Sequence, residues 1–432
     1  MMNRSSLKIK QQNGGDFTKA NPDIQMVLHR FERNPILEPN TGHYWETKAV
    51  FNPAAIYEAG KVHIVYRAIG EMDVSVLGYA STINGLEITE RLDIPCYVPR
   101  EGFEGVNPVY QPNPAKPGTY VSGGGGMGGC EDPRLTKIND RVYMTYVAYD
   151  GHSPPRVALT SIQQDNFLNH KWDWKQPVLI TPPHIVDKNA CILPEKIQGK
   201  YVIFHRVFPN ILIDFVDDLD FDGKTRWLEG QYTIPVRASN SDWDSLKVGC
   251  GAPPIKTKEG WLLIYQAVGC SDKSRYKVGA MLFDLKDPTK ILARTRSPIL
   301  EPVAWYENEG WKAGVVYPCG SVIIKNRLFV YYGGADTFVC VASTEVDNLL
   351  EQLTEYHHDG SEAIPISTLK ITDGEGTTPV QGYCMKCRNK QTIKNDRRIT
   401  LKNLRHAVEG ICPNCGTKIV TFIKSQTQGK TN

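Results

Sequence analysis

The feature that most constrains this chain is a unit that recurs five times between residues 52 and 336. Each copy has a small or proline-containing approach, a short apolar strand, a charged or glycine turn, and a second strand of alternating aromatic and aliphatic residues. The copies are NPAAIYEAGKVHIVYRA from Asn52, EDPRLTKINDRVYMTYVA from Glu131, KNACILPEKIQGKYVIFHR from Lys188, GAPPIKTKEGWLLIYQA from Gly251 and YPCGSVIIKNRLFVYYGGAD from Tyr317. Their second strands begin at Val62, Val142, Tyr201, Trp261 and Leu328, 59 to 80 residues apart, which is room for a four-stranded sheet in each copy. A sheet of that size cannot bury its faces alone, so the repeats imply blades packed radially about an axis. The expected fold is all-β, a five-bladed β-propeller over residues 26–356. Ordinary hairpins in a large sandwich are the competing reading, and they give no reason for five similar units.

Radial packing would bring equivalent positions of the five units to one end of a central channel. Those positions carry Asn52 and Arg67, Asp132 and Arg134, Lys188 and Arg206, Lys247 and Gln266, and Glu307, Tyr317 and Asp336. Any one of them alone reads as a solvated turn; convergence of all five sets makes a polar pocket. The second copy is entered through GGGGMGG, Gly123 to Gly129, a run suited to close approach beside a ligand, and it leads into Glu131, Asp132 and Arg134.

The C-terminal region is of another kind. Cys384 and Cys387 form one CxxC pair, Cys412 and Cys415 a second, with 24 residues between the pairs. Each pair places two thiolates on one side of a tight turn, and two such turns complete a four-sulfur zinc site that staples a small domain lacking a large core. Residues 381–424 are therefore expected to be a zinc-ribbon-like module holding structural zinc, joined by a linker at 357–380. Asp347 followed by Leu349, Leu350 and Leu353 predicts a short helix ahead of that linker. Residues 1–25 and 425–432 read as a flexible arm and tail.

Charge adds little, because 50 basic residues stand against 47 acidic ones, a net of +3. Nothing in that balance asks for nucleic acid or an anionic membrane, although the tail module carries basic residues such as Lys386, Arg388 and Arg397. No apolar run approaches a membrane span, and the other seven of the eleven cysteines are scattered singly, which suits reduced thiols. A cytoplasmic enzyme is expected, with its oligomeric state, homo-oligomer or not, left open.

Over roughly residues 28 to 345 the chain resembles glycoside hydrolase family 130, the β-mannoside phosphorylases and related β-mannosidases. The resemblance is carried by FNPA from Phe51, VYRA from Val65, GCEDPRLT, DKNACILPEK with FHR, LKVGCGAPPIKT, YKVGA, and YENEG, VYPCG and YYGGADT in that order. It implies the same five-bladed fold, and a phosphorylase that cleaves β-mannosides with inorganic phosphate as co-substrate, inverts the configuration, and needs no organic cofactor. By resemblance Asp132 is the general acid, with burial and Glu131 expected to raise its pKa. Arg206, Lys247 and Tyr276 match phosphate-contacting positions, and Lys188 stands where an arginine is common. Gln266 stands where the phosphorylases usually carry histidine. Asn52, Arg67, Glu307 and Asp336 are expected to line the mannosyl subsite, with Arg134 orienting the loop beside it. A phosphate-independent β-mannosidase is the nearest alternative, with Glu307 or Asp336 activating water, and a non-catalytic carbohydrate-binding propeller is a further one. The tail, TLKNLRHAVEGICPNCGTK, resembles a zinc-ribbon module of unknown function that also occurs alone or appended to other bacterial proteins.

Overall fold

Aromatic and branched side chains pack well on pleated surfaces, and strands form where the repeats place them. The structure, a computed structural model, describes residues 28–105, 122, 124–356, 358–368, 381–400 and 406–422. The expected arm, the expected tail and most of the expected linker lie outside the described residues.

Each unit is an antiparallel meander. The first comprises Ala49–Glu58, Lys61–Ile69, Val74–Thr82 and Ile88–Arg91. The second comprises Gly128–Ile138, Arg141–Tyr149, Arg156–Gln163 and Val178–Leu179. Asp187–Ile192, Tyr201–Val207, Asn210–Val216 and Tyr232–Ile234 form the third. The fourth is built on Lys247–Cys250, Trp261–Val268, Lys277–Phe283 and Lys290–Arg294. Val316–Ile324, Arg327–Gly334 and Phe338–Glu345 make the fifth, and the strand His29–Arg30 completes it by pairing with Phe338–Glu345. The second strands start within one residue of the expected positions.

Units one and two are joined by a short parallel bridge, Val74 to Gly128 and Ser75 to Gly129. Gly129 has φ 110°, and a Cβ there would stand 2.2 Å from the Ser75 carbonyl oxygen, so only glycine permits the approach. No single closed sheet runs through the described residues.

Five apolar clusters lie between consecutive units. Leu77 and Tyr146 belong to the cluster between the first and second, Leu159 and Ile203 to the next, and Phe204 and Trp261 to the third. Ile264 and Val330 join the fourth unit to the fifth, and Tyr66 and Tyr331 join the fifth back to the first. Because both faces of each sheet are covered, a strand such as Trp261–Val268 is buried at every position rather than at alternate ones.

The leucine pattern does form a helix, Val346–Tyr356, with Leu349, Leu350 and Leu353 buried. The segment after it differs from expectation. His358–Glu362 pairs with Lys290–Arg294 and Ile364–Pro365 pairs with Tyr232–Ile234, so the first part of the expected linker serves as edge strands that extend the fourth and third sheets. The C-terminal region forms a two-stranded and a three-stranded sheet around its own small core of Ile393, Val408 and Ile419 with Cys384 and Cys412.

Candidate active site

A β-bulge interrupts the first strand of four units, between Phe51 and Ala54, Glu131 and Arg134, Lys188 and Cys191, and Pro318 and Gly320. In the first three, one residue of the bulge adopts left-handed backbone: Asn52 and Asp132 at φ 50°, Asn189 at φ 59°. Asn and Asp tolerate this conformation best after glycine, and a bulge re-aims the side chain away from the ladder. Here the re-aimed groups meet. Asn52 Nδ2 donates to Asp132 Oδ1 at 2.7 Å, and Asn189 Nδ2 donates to the Tyr317 hydroxyl at 2.5 Å. Asp336, also at φ 50°, arrives from the turn after the second strand of the fifth unit.

These groups border a cavity of about 120 Å³. Its walls carry two carboxyls, Asp132 and Asp336, and three cations, Lys188, Arg206 and Lys312, together with Asn52, Tyr276 and Tyr317. Gly124, at φ 77°, closes one side: a Cβ there would press on the Phe51 ring at 2.5 Å and approach Asp336 at 3.3 Å. That is the part of the glycine run where the expected close approach is met. Gly123 and residues 106–121 lie outside the described residues.

Arg67 is fully buried just behind this wall and holds the second unit's carboxylates in place. Its Nη1 lies 3.2 Å from Asp132 Oδ1 and its Nη2 3.2 Å from Glu131 Oε1, with the guanidinium 4.7 Å from the Phe51 ring centroid. Lys188 Nζ lies 3.5 Å from the other oxygen of Glu131. Burial pushes the Asp132 carboxyl up, but Arg67, Arg134, Lys188 and the Asn52 hydrogen bond outweigh it, and the net direction is down. The expected rise is therefore corrected: in the free protein Asp132 is a stabilised carboxylate. The raised acid is Asp336, pushed up to about 6 by burial despite Lys312, with Asp132 adding to the rise.

Around the third and fourth units the cations gather near Tyr276. Lys247 donates to the Tyr276 hydroxyl, with its Nζ 4.2 Å from the ring centroid. Burial and the neighbouring Arg206 and Lys312 push Lys247 down, although Tyr276 opposes them. A Cβ on Gly249 would stand 2.6 Å from Asn189 Oδ1 and 2.7 Å from Gln266 Nε2, so the absence of a side chain there leaves space for both amides. Arg206 Nε, Asn189 Oδ1 and Gln266 Oε1 are buried without hydrogen-bond partners among the described residues, which leaves polar capacity for a ligand.

Two expected site residues are placed elsewhere. Glu307 is fully buried and saturated: Arg30 Nε and Nη2 reach its two oxygens at 2.8 and 3.0 Å, the Tyr332 hydroxyl donates at 2.8 Å, and the backbone N–H groups of Val303 and Ala304 donate at 2.7 and 2.9 Å. It clamps the N-terminal strand to the fifth unit and does not border the cavity. Arg134 also turns away, donating to the backbone carbonyls of Asp132, Gly251 and Cys250 at 2.8, 3.0 and 3.3 Å. It fixes the Asp132 backbone against the fourth unit.

Two polar groups of the site escaped the sequence reading, Lys312 on the cavity wall and Asn189 behind it, bonded to the Tyr317 hydroxyl. Asn189 occupies the same bulge position as Asn52 and Asp132, and alignment of the repeats would have found it. Lys312 lies on a connecting loop outside the repeats and carries no local signal. A second, larger cavity of about 330 Å³ adjoins at Gly124 and is bordered by Lys48, Asp73, Gly125, Thr337 and the exposed Trp311. The neighbouring Trp305 packs on Phe338, and Tyr306 is buried.

The four C-terminal cysteines form a separate centre, with all four Sγ atoms within 4.8 Å of one another. Cys384 and Cys415 are 3.5 Å apart and Cys387 and Cys412 3.8 Å apart. A tetrahedron with Zn–S of about 2.3 Å has edges of about 3.8 Å, so the donor set fits zinc. The Cys387 N–H donates to Cys384 Sγ at 3.4 Å, a contact that supports a thiolate there.

Residues 27–355 match the glycoside hydrolase 130 family, described as beta-1,4-mannooligosaccharide phosphorylase, and residues 383–422 match a family described only as a domain of unknown function. The chain is 37% identical over 329 residues to the 1,2-beta-oligomannan phosphorylase of Thermoanaerobacter sp. (strain X514), covering 74% of this chain and 98% of that protein. It is 36% identical over 338 residues to the beta-1,2-mannobiose phosphorylase of the same organism, again 74% of this chain and 98% of the relative. The solved structure of beta-1,2-mannobiose phosphorylase from Listeria innocua, in complex with beta-1,2-mannobiose, superposes with a TM-score of 0.59 at 25% identity, covering 76% of this chain and 99% of that one. With a match that spans all five units and nearly the whole of each relative, the chain belongs to glycoside hydrolase family 130.

Proposed function

We propose that the protein is a phosphorylase that cleaves β-mannosides with inorganic phosphate, with inversion, to α-mannose 1-phosphate and a shortened saccharide. The observation that carries this is the shared cavity: the Asp132 carboxyl and the cations Lys188, Arg206 and Lys312 face one space. The names of the two Thermoanaerobacter relatives favour β-1,2-linked mannosides as substrates. The five meanders, read as blades of a five-bladed propeller over residues 26–356, would make that space the axial pocket, a reading supported by the five inter-unit clusters.

In this mechanism a phosphate oxygen attacks the anomeric carbon from the face opposite the leaving group. The C1–O bond breaks with its electron pair going to the departing sugar oxygen, which receives a proton ultimately from Asp132, relayed through the mannose 3-hydroxyl as the family resemblance implies. Phosphate is already an anionic nucleophile and needs cations rather than a second carboxylate as base. Its arrival beside Lys188, Arg206, Lys247 and Tyr276 offsets the positive field that holds Asp132 low, so nucleophile binding itself moves Asp132 toward the protonated state. Asn52, Arg67 and Asp336 hold the mannosyl ring or the groups that touch it, with Arg134 acting through the Asp132 backbone. Trp311, exposed beside the larger cavity, offers a stacking face for the acceptor sugar.

A phosphate-independent hydrolase is the second reading, favoured by one observation: Asp336, near Asp132 and raised to about 6, could serve as the base for water. Glu307 is too fully engaged for that role. Product analysis from β-1,2-mannobiose with phosphate varied decides between them. Mannose 1-phosphate formed in proportion to phosphate is expected; free mannose alone, at a phosphate-independent rate, would exclude phosphorolysis.

We read residues 381–424 as a zinc ribbon in which Cys384, Cys387, Cys412 and Cys415 hold a structural zinc ion, and the whole as a cytoplasmic enzyme. The buried reduced thiols of the body support the compartment, and the four-sulfur geometry supports the metal.

A further inference from the structure

Resting on the phosphorolytic reading above, we propose that Lys312 is a further phosphate-contacting residue, a cation supplied from outside the repeats. Its Nζ lies 4.5 Å from the centroid of the Tyr276 ring, and Lys247 Nζ lies 4.2 Å from the same centroid. One ring thus carries two ammonium groups at the edge of a cavity that also holds Lys188 and Arg206.

Of the other basic groups here, Lys188 faces Glu131, Lys247 the Tyr276 hydroxyl and Arg67 two carboxylates, whereas Arg206 Nε is buried without a partner among the described residues and points to the same need for an anion. Among the described residues Lys312 makes no ion pair or side-chain hydrogen bond. Two like charges gathered on one ring without an anion repel each other, and an anion placed between them relieves the repulsion. Burial pushes the Tyr276 hydroxyl up, but Lys247, Lys312 and Arg206 together prevail and hold it down, which reports the same excess of positive charge.

Lys312 is also held where it can act. Its backbone N–H donates to the Ala335 carbonyl at 3.0 Å, and the N–H of Trp311 donates to Thr337 Oγ1 at 2.8 Å. The loop is therefore pinned to both sides of Asp336, and Lys312 borders the same cavity as the raised acid. Gln266, a neutral amide, adds no charge to the same region. A phosphate dianion facing the Asp132 and Asp336 carboxyls meets a better balance of charge with Lys312 present, since Lys188 is shared with Glu131.

The test compares wild type, Lys312→Met and Lys312→Arg, varying phosphate and β-1,2-mannobiose separately. The expected result for Lys312→Met is a rise in KM for phosphate of roughly tenfold or more, the value of one charge-assisted hydrogen bond. KM for mannobiose should stay within about twofold, with most of the loss restored in Lys312→Arg. An unchanged phosphate KM, or an equal rise in both KM values, overturns the proposal. Calorimetric titration of each protein with inorganic phosphate needs no turnover: weaker binding by Lys312→Met supports the proposal and equal binding overturns it. A wild type that releases only free mannose would sink the phosphorolytic reading instead, and the titration keeps the two failures apart.

Discussion

Asn52 and Asp132 occupy the same bulge position of neighbouring units, both at φ 50°, and the side-chain amide of one donates to the carboxylate of the other at 2.7 Å. Asp132→Asn keeps the shape and removes the ionisable proton. Turnover of β-1,2-mannobiose should fall by about 10²–10⁴-fold, the range for loss of a positioned acid, while calorimetry still detects mannobiose binding. Retained turnover would remove Asp132 from the chemistry.

Asp336 carries a folded-state pKa above its unfolded value, so the native state holds an extra proton between about 3.8 and about 6. Stability from this group falls as pH rises through that window, and above it the buried carboxylate is a net cost. Asp336→Asn should accordingly raise the denaturation midpoint at pH 7 while reducing activity. Urea unfolding at pH 5 and pH 7 checks this, and the gain should be smaller at pH 5.

His205 sits between Asp187 and Asp214, at 2.6 and 2.8 Å, on the strand that carries Arg206, with Asp187 on the strand that carries Lys188. Burial alone would lower its pKa, but the two carboxylates prevail and push it up to about 10. The native state then binds one more proton than the unfolded state between about 6.5 and 10. Stability is fully present below pH 6.5 and should decline at up to about 1.4 kcal/mol per pH unit through that range. His205→Gln should be less stable at pH 7 and should lose this slope, as measured by denaturant titration across pH.

Glu307 is a clamp rather than a ligand, so Glu307→Gln should lower stability without a selective effect on either substrate. With Arg30 partly exposed, the loss is on the order of 2 kcal/mol. Equilibrium unfolding measures the loss, and KM values for phosphate and mannobiose should remain within about twofold. A selective rise in the mannobiose KM would return Glu307 to the sugar site.

If the four C-terminal cysteines hold zinc, a strong chelator should release one ion per chain and free four thiols for titration under native conditions. The other cysteines are buried, apart from the half-buried Cys270, and should stay unreactive. Four thiols already titratable before chelation would argue against a bound metal.

The strands, the turns between them and the two CxxC knuckles were legible in the sequence because each depends on residues close together in the chain. Repetition made the five units visible, and their second strands begin where the alternation of aromatic and aliphatic residues begins. The EDPR motif announced Asp132, whereas its ionisation could not be read there, since Arg67 and Lys188 reach it from other units. Nor could local pattern separate Glu307 from Asp336: both lie in family-like motifs, yet one is enclosed by five donors and the other faces a cavity. Lys312 belongs to no motif at all. A pocket assembled from five units sums charges from residues far apart in the chain, and burial and Coulomb interaction act on that sum, so only the tertiary structure decides which groups face the cavity and in which protonation state.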